Sequence, residues 1–173
     1  MYQYRSEFFV EDANGAELKY DLENRELTYI TVNGDVGAFR SEELYDLLVP
    51  WCIYYHHIPG ICFLLFGDEG EEIYRFDLAR PELQLVERIT RTELMNEGFD
   101  YNEWLDHPQG PILYYELGIC AFDTQGKMRW HTRFDFFLVR PKVRGQTLVY
   151  SENEGDHIYS IQDGSLLDSP LQT

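Results

Sequence analysis

The stretch FFVEDANGAELKYDLENRELTYI (Phe8–Ile30) combines an apolar strand, an acidic turn with a glycine, a second strand that ends in aromatic-Asp, and a short apolar tail. A similar pattern returns in Leu64–Val86, Ile112–Trp130 and Leu148–Leu167. Such self-similarity is typical of twisted antiparallel strands that stack around a shared core. We therefore predict a mainly-β fold, an antiparallel meander of repeated hairpins, with an α+β fold as the alternative.

Two segments interrupt this pattern and predict one or two short helical insertions. Ser41-Glu42-Glu43 precedes an apolar run that Pro50 would end, as at a capped helix start. Thr90–Leu105 begins with the spacing of a capping box. Between these segments, Trp51–Tyr55 and Ile61–Phe66 are apolar on both faces, so we expect both strands at the centre of a sheet.

The aromatic-Asp position of the repeat, or its equivalent, falls at Asp21, Asp77, Asp123 and Gln162. The intervals are 56, 46 and 39 residues, and the last matches the period of about 40 that propeller blades show. Ile119–Trp130 (ICAFDTQGKMRW) resembles the quinoprotein-like β-propeller repeat, in which an Asp-x-x-Gly turn precedes a strand ending in Trp. This resemblance implies blade-like sheets and nothing about a cofactor. Four complete blades barely fit in 173 residues, so a meander or two-layer β fold stays open.

A second stretch, Cys62–Leu78 (CFLLFGDEGEEIYRFDL), resembles small bacterial immunity proteins of the SUKH superfamily. The shared features are an apolar run, a Gly-rich turn and a following strand. What this resemblance implies is a toxin-neutralising role.

The formal charge is −17, from 31 acidic and 14 basic side chains. The acids concentrate in residues 1–110, whereas all the bases after residue 110 lie in Lys127–Arg144. A field of this sign repels nucleic acid and anionic membranes, and it attracts basic proteins. Solubility or a saline cytoplasm would explain the acidity equally well. For the basic segment, pairing with acids of the same chain is the simplest interpretation.

The composition predicts a soluble cytoplasmic protein that forms a single domain over residues 1–173. Cys52, Cys62 and Cys120 have no CxxC spacing and sit in apolar surroundings, which favours buried thiols in a reducing compartment. The N-terminus has no signal-peptide pattern, and the most apolar stretch is broken by prolines and a glycine.

Few residues in the sequence suggest catalysis or metal binding. The acidic turn Gly67–Glu72 lacks the ligand spacing of an EF-hand loop, and none of the common nucleophile or phosphate-binding motifs occurs. His107 has Asp100, Glu103 and Asp106 nearby in sequence, which allows a general acid–base dyad and thus an unrecognised hydrolase. We otherwise expect no catalytic residue, no cofactor and no metal.

These observations lead to a non-enzymatic protein-binding domain as the predicted function. In its concrete form it is a bacterial immunity or inhibitor protein that holds a basic toxin by charge complementarity. The predicted contact residues are Asp68, Glu69, Glu71 and Glu72 in the acidic turn of the second repeat. A β module that binds a small ligand on exposed aromatic side chains is the alternative.

Overall fold

A computed structural model describes residues 7–11, 15–21, 23–31, 33–42, 44, 52–55, 60–66, 72–89, 102–115, 117–134, 140–152 and 155–169. The chain divides into two compact units, Met1–Gly98 and Phe99–Thr173. The expected single domain over 1–173 stays a prediction, and we describe each unit by itself.

The first unit contains two antiparallel sheets of four strands, and each sheet follows chain order. The strands of the first sheet are β1 Glu7–Glu11, β2 Glu17–Asp21, β3 Glu26–Ile30 and β4 Val36–Phe39. Those of the second sheet are β5 Cys52–Tyr55, β6 Ile61–Phe66, β7 Glu72–Asp77 and β8 Glu82–Arg88. The first strands of the two sheets, β1 and β5, lie side by side.

The second unit repeats this architecture with two more four-stranded antiparallel meanders. The third sheet contains β9 Asn102–Leu105, β10 Ile112–Tyr115, β11 Gly118–Phe122 and β12 Met128–Arg133. The fourth contains β13 Lys142–Arg144, β14 Thr147–Glu152, β15 Gly155–Ser160 and β16 Leu166–Asp168. The predicted mainly-β fold of repeated antiparallel hairpins is therefore confirmed.

Within each unit, one face of one sheet packs on a face of the next. In the first unit Leu18, Tyr20 and Leu27 are fully buried in one cluster with Leu64 and Phe76 of the second sheet. In the second unit the cluster joins side chains of both sheets, namely Ile112, Tyr114, Ile119 and Ala121 with Leu148, Tyr150, Tyr159 and Ile161. Burial of one face per sheet is what the period-2 alternation of an antiparallel strand provides.

A tryptophan on β12 fastens the third sheet to the fourth. The indole Nε1 of Trp130 donates a hydrogen bond to the Ile161 carbonyl at 2.9 Å, and Thr132 Oγ1 donates to the Gly164 carbonyl at 3.3 Å. Gly164 has φ +72°, and a Cβ built on it would lie 2.6 Å from Trp130 Cε3. A glycine is therefore required where this turn approaches the indole.

The repeat is more regular in the structure than the sequence predicts. The turn between the third and fourth strands begins at or beside Thr31, Asp77, Asp123 and Ser160 in the four sheets, at intervals of 46, 46 and 37 residues. Asp21 lies one hairpin earlier, between β2 and β3, which explains the interval of 56. Four blade-like sheets fit in 173 residues because several strands have only three or four residues, among them the edge strands β4, β13 and β16. The sequence did not predict these three.

Two of the predicted elements need correction. The helix predicted over Thr90–Leu105 is wrong at its end, because Asn102–Leu105 forms β9 and pairs with β10, where Trp104 packs 5.7 Å from the Phe122 ring. Pairing with the buried strand β10 thus overrides the helix expected for these four residues, whereas residues 90–101 lie outside the described part of the chain. β5 stands at the edge of its sheet, whereas β6 is interior as predicted. Of the first predicted helix, Ser41 precedes the helical Glu42 and Leu44, and residues 43 and 45–50 lie outside the described residues.

Replacement of Gly164 by alanine is expected to lower the free energy of unfolding by about 2–4 kcal/mol, since it combines a left-handed backbone with a steric clash against Trp130. Gly145→Ala is the matched control: φ is +60°, and nothing lies within 4 Å of the added methyl. It should cost only about 1 kcal/mol. Urea unfolding measures both variants, and equal losses would contradict the packing that we describe.

Candidate functional site

The first sheet has one apolar face and one acidic face because β2 alternates strictly. Leu18 and Tyr20 are buried, whereas Glu17, Lys19 and Asp21 are partly exposed on the opposite face. Glu26, which stands opposite Asp21, belongs to the same face. We call Glu17, Asp21 and Glu26, together with the register positions Glu7 and Glu11, the acidic face.

The strand register sets like charges against each other on this face. Glu11 is the pairing partner of Glu17, and Glu7 that of Asp21, which is in turn opposite Glu26. Carboxylates placed directly opposite each other across antiparallel strands destabilise the pair. Among the described neighbours, the Arg40 guanidinium forms an ion pair with Glu26. Lys19 lies on the same face between Glu17 and Asp21, so the five acidic positions stand against two basic ones, Lys19 and Arg40.

Asp21, the last residue of β2, has a carboxylate that accepts three hydrogen bonds from the following turn. The donors are Asn24 Nδ2 at 2.7 Å and the backbone N–H groups of Asn24 and Glu23 at 3.1 and 2.9 Å. The Asn24 side chain, followed by the Asn24 backbone, lowers the pKa of Asp21 below its usual value. Its charge thus persists at any pH at which a protein partner would bind.

Of the contact residues predicted from sequence, Asp68, Glu69 and Glu71 lie outside the described residues. Glu72 is the first residue of β7, and its carboxylate accepts hydrogen bonds from Arg88 Nε at 2.7 Å and from Tyr74 Oη at 3.0 Å. Its side chain is 20% exposed. Arg88 already balances the charge of Glu72, and the role of this turn in binding stays a prediction.

The hydrolase alternative depends on His107, which is buried in the loop before β10. Its Nδ1 accepts a hydrogen bond from the Gln109 backbone N–H at 3.3 Å. Glu103, one of the acids near it in sequence, accepts from Tyr114 Oη at 2.5 Å and pairs with Arg140. These contacts stabilise a loop and join two sheets of the second unit. Asp100 lies outside the described residues.

The cysteines and the basic segment take part in contacts within the fold. Cys62 and Cys120 are buried free thiols, and burial raises the pKa of Cys62. In the basic segment, Arg129 donates to the Gln162 carbonyl at 2.7 Å, and His131 Nε2 lies 2.6 Å from Tyr115 Oη. Within the described ranges, no group of three or more His, Cys, Asp or Glu side chains is placed to hold a metal ion.

A half-open cleft of about 440 Å³ lies in the first unit, between the β3–β4 turn and the second sheet. We call it the inter-sheet cleft. Its described walls include Tyr29, Thr31 and Asp35 on the first sheet, and Leu78 and Pro81 on the second. Sequence reasoning missed this cleft, because its walls come from turns of two different repeats.

Comparison with solved structures shows a β-propeller-like fold. Sqt1 of Saccharomyces cerevisiae matches with a TM-score of 0.52 and 11% identity over 94% of this chain and 48% of its own. A putative 6-phosphogluconolactonase of Bacteroides uniformis matches with a TM-score of 0.49 and 12% identity over 93% of this chain and 52% of its own. The chain therefore spans about half the length of these proteins. The resemblance to SUKH immunity proteins gains no support.

No protein-family model and no curated protein matches the sequence. Among the described residues, no helix is long and apolar enough to span a membrane.

Asn24→Ala should raise the pKa of Asp21 toward its ordinary value, because the strongest hydrogen bond to the carboxylate is lost. Carboxyl ¹³C chemical shifts, followed by NMR through an acid titration, measure this change. Asp163 is the internal control: Ser165 lowers its pKa, and Asn24→Ala leaves Ser165 in place, so the Asp163 titration should not change. An unchanged Asp21 titration would contradict the assigned cause.

Proposed function

We propose that this chain is a non-enzymatic protein-binding domain that holds a basic protein against the acidic face of its first sheet. The observation that carries the proposal is the register of that sheet, which opposes Glu11 to Glu17 and Asp21 to both Glu7 and Glu26. A partner that brings lysine or arginine side chains to this face would relieve the repulsion on binding.

The electrostatics favour fast association with such a partner. The net charge is −17. In the first unit, Arg40, Arg75 and Arg88 form ion pairs with carboxylates of the same unit, namely Glu26, Asp77 and Glu72. The acidic face, with five acidic positions against Lys19 and Arg40, thus presents net negative charge to an approaching protein. Complementary charge raises association rates, and the effect falls with ionic strength.

The backbone of the acidic face is well suited to a contact surface. β2 and β3 are fixed from behind by the buried Leu18, Tyr20 and Leu27, so Glu17, Asp21 and Glu26 keep their backbone spacing when a partner binds. The propeller-like fold supplies this rigid support. The fold alone does not specify a partner, so the proposal rests on the charges of the face.

In its finer form, the proposal is that the chain is a bacterial immunity or inhibitor protein and that the partner is a basic toxin. The acidity of the surface supports this form, since many inhibitors of cationic enzymes bind by charge complementarity. Its test is to express the product of the neighbouring gene in a laboratory bacterium, alone and with this chain. Growth inhibition that this chain relieves supports the immunity role, and inhibition that it leaves unchanged refutes it.

The acidic face predicts how a purified partner would respond to charge removal. The double variant Glu11→Gln with Glu17→Gln should slow association several-fold at low salt and flatten its salt dependence. The control is Glu82→Gln with Asp156→Asn, which removes the same charge at two exposed positions that are not part of this face. Association rates are compared by stopped-flow or surface plasmon resonance at about 20 to 500 mM NaCl, where the Debye length falls from roughly 20 to 4 Å.

The proposal is wrong if the partner is acidic, if its affinity is indifferent to salt, or if the two double variants slow association equally.

A further inference from the structure

We propose that the inter-sheet cleft binds an arginine side chain of the basic partner, with the guanidinium held at Asp35. This inference rests on the proposed function, because it names the chemical group that such a partner would insert. It concerns a second site, whose lining includes none of the residues that define the acidic face.

The charge of the cleft selects a cationic group. Among the described residues that line the cleft, Asp35 is the one with a charged side chain, and none is basic. A cleft of this kind repels carboxylates and phosphates, and it favours a cation that can donate hydrogen bonds. Thr31 and Asn33 add polar groups beside Asp35.

The Asp35 carboxylate accepts a hydrogen bond from Thr31 Oγ1 at 3.4 Å, and the turn fixes the backbone of the residue. The backbone N–H of Asp35 donates to Thr31 Oγ1 at 3.1 Å, and the Thr31 N–H donates to the Asp35 carbonyl at 2.8 Å. Gly34, with φ +84°, closes this turn by donating to the Thr31 carbonyl at 2.8 Å. A fixed acceptor binds a planar guanidinium with a smaller loss of side-chain entropy than a mobile one.

The walls fit the rest of an arginine side chain. Leu78, Ala79 and Pro81 supply apolar surface for its methylene groups. Tyr29 offers an aromatic ring, and guanidinium groups stack favourably on such rings. This ring is pre-positioned: it packs edge-on against Phe76 at 5.9 Å and covers Gly37, where a Cβ would lie 2.3 Å from its hydroxyl oxygen.

The size of the cleft and its rim fit a side chain that belongs to a peptide. At about 440 Å³ the cleft lies in the range of ligand pockets, and it exceeds the volume of one arginine side chain. Val36, on the rim, is 78% exposed and offers an apolar contact to a residue flanking the arginine. The occupant that we infer is therefore an arginine together with its neighbouring backbone.

The test uses two neutral-ended probes of the same shape, N-acetyl-L-arginine amide and N-acetyl-L-citrulline amide, added to the full chain. In ¹⁵N NMR spectra we expect the arginine probe to shift the backbone amides of Tyr29, Asp35 and Ala79 in a saturable way. Citrulline has the same outline without the charge, so it should bind at least about five-fold more weakly. Equal binding of the two probes would overturn the proposal, as would shifts confined to other residues.

Asp35→Asn keeps the turn, since the backbone bonds with Thr31 remain, but it removes the charge. It should weaken binding of the arginine probe about five- to ten-fold. Glu23→Gln removes the same charge from an exposed turn residue that does not line the cleft, and it should leave the affinity unchanged. Equal affinities of wild type and Asp35→Asn would refute the role of Asp35.

The two proposals can fail separately. Loss of charge at Glu11 and Glu17 should leave the arginine probe bound in the cleft, because neither residue lines it. If the probe binds but the partner's association ignores the acidic face, the proposed function fails and the cleft stands as an arginine site. If the partner's association depends on the acidic face while the probe does not bind, the cleft proposal alone is refuted.

Discussion

The burial of Leu18, Tyr20 and Leu27 against the second sheet is the constraint on which the first unit depends. These side chains share one cluster with Leu64 and Phe76 and are fully buried. Because side chains alternate along a strand, a slip of one residue would exchange the two faces and expose this apolar set. The same packing therefore fixes the register that holds Glu17, Asp21 and Glu26 together on the opposite face.

The recurring aspartates of the sequence have a local structural role in the turns. Asp77 Oδ1 accepts a hydrogen bond from the Ala79 N–H at 2.9 Å, and Asp123 Oδ1 accepts one from the Gln125 N–H at 2.8 Å. In the fourth sheet Ser160 Oγ takes the same place and accepts from the Gln162 N–H at 3.2 Å. Side chains of this kind satisfy a backbone donor two residues on. The motif that first indicated a repeat is thus a turn-forming device.

Much of this fold could be predicted from the sequence, because alternation, turn residues and repetition are local signals. Strands such as β2, β6 and β14 follow from them directly. The edge strands β4, β13 and β16 have three or four residues and little alternation to read, and their pairing partners define them. The candidate sites could not be predicted from the sequence, because they depend on contacts between distant residues. The acidic face depends on which residues pair across β1, β2 and β3, and the inter-sheet cleft depends on two repeats meeting.

If the acidic face lowers the stability of the chain and favours binding of a basic partner, Glu17→Lys should change these two properties in opposite directions. A lysine at this position stands opposite Glu11 and converts a repulsive pair into an attractive one. The variant is expected to have a free energy of unfolding about 0.2–1 kcal/mol higher than wild type, and to associate with the partner more slowly at low salt. Asp156→Lys, which stands opposite Ser151 in the second unit, makes the same charge change without relieving such a pair. A Glu17→Lys variant that is no more stable than wild type, or that associates as fast as the Asp156→Lys control, would contradict the account.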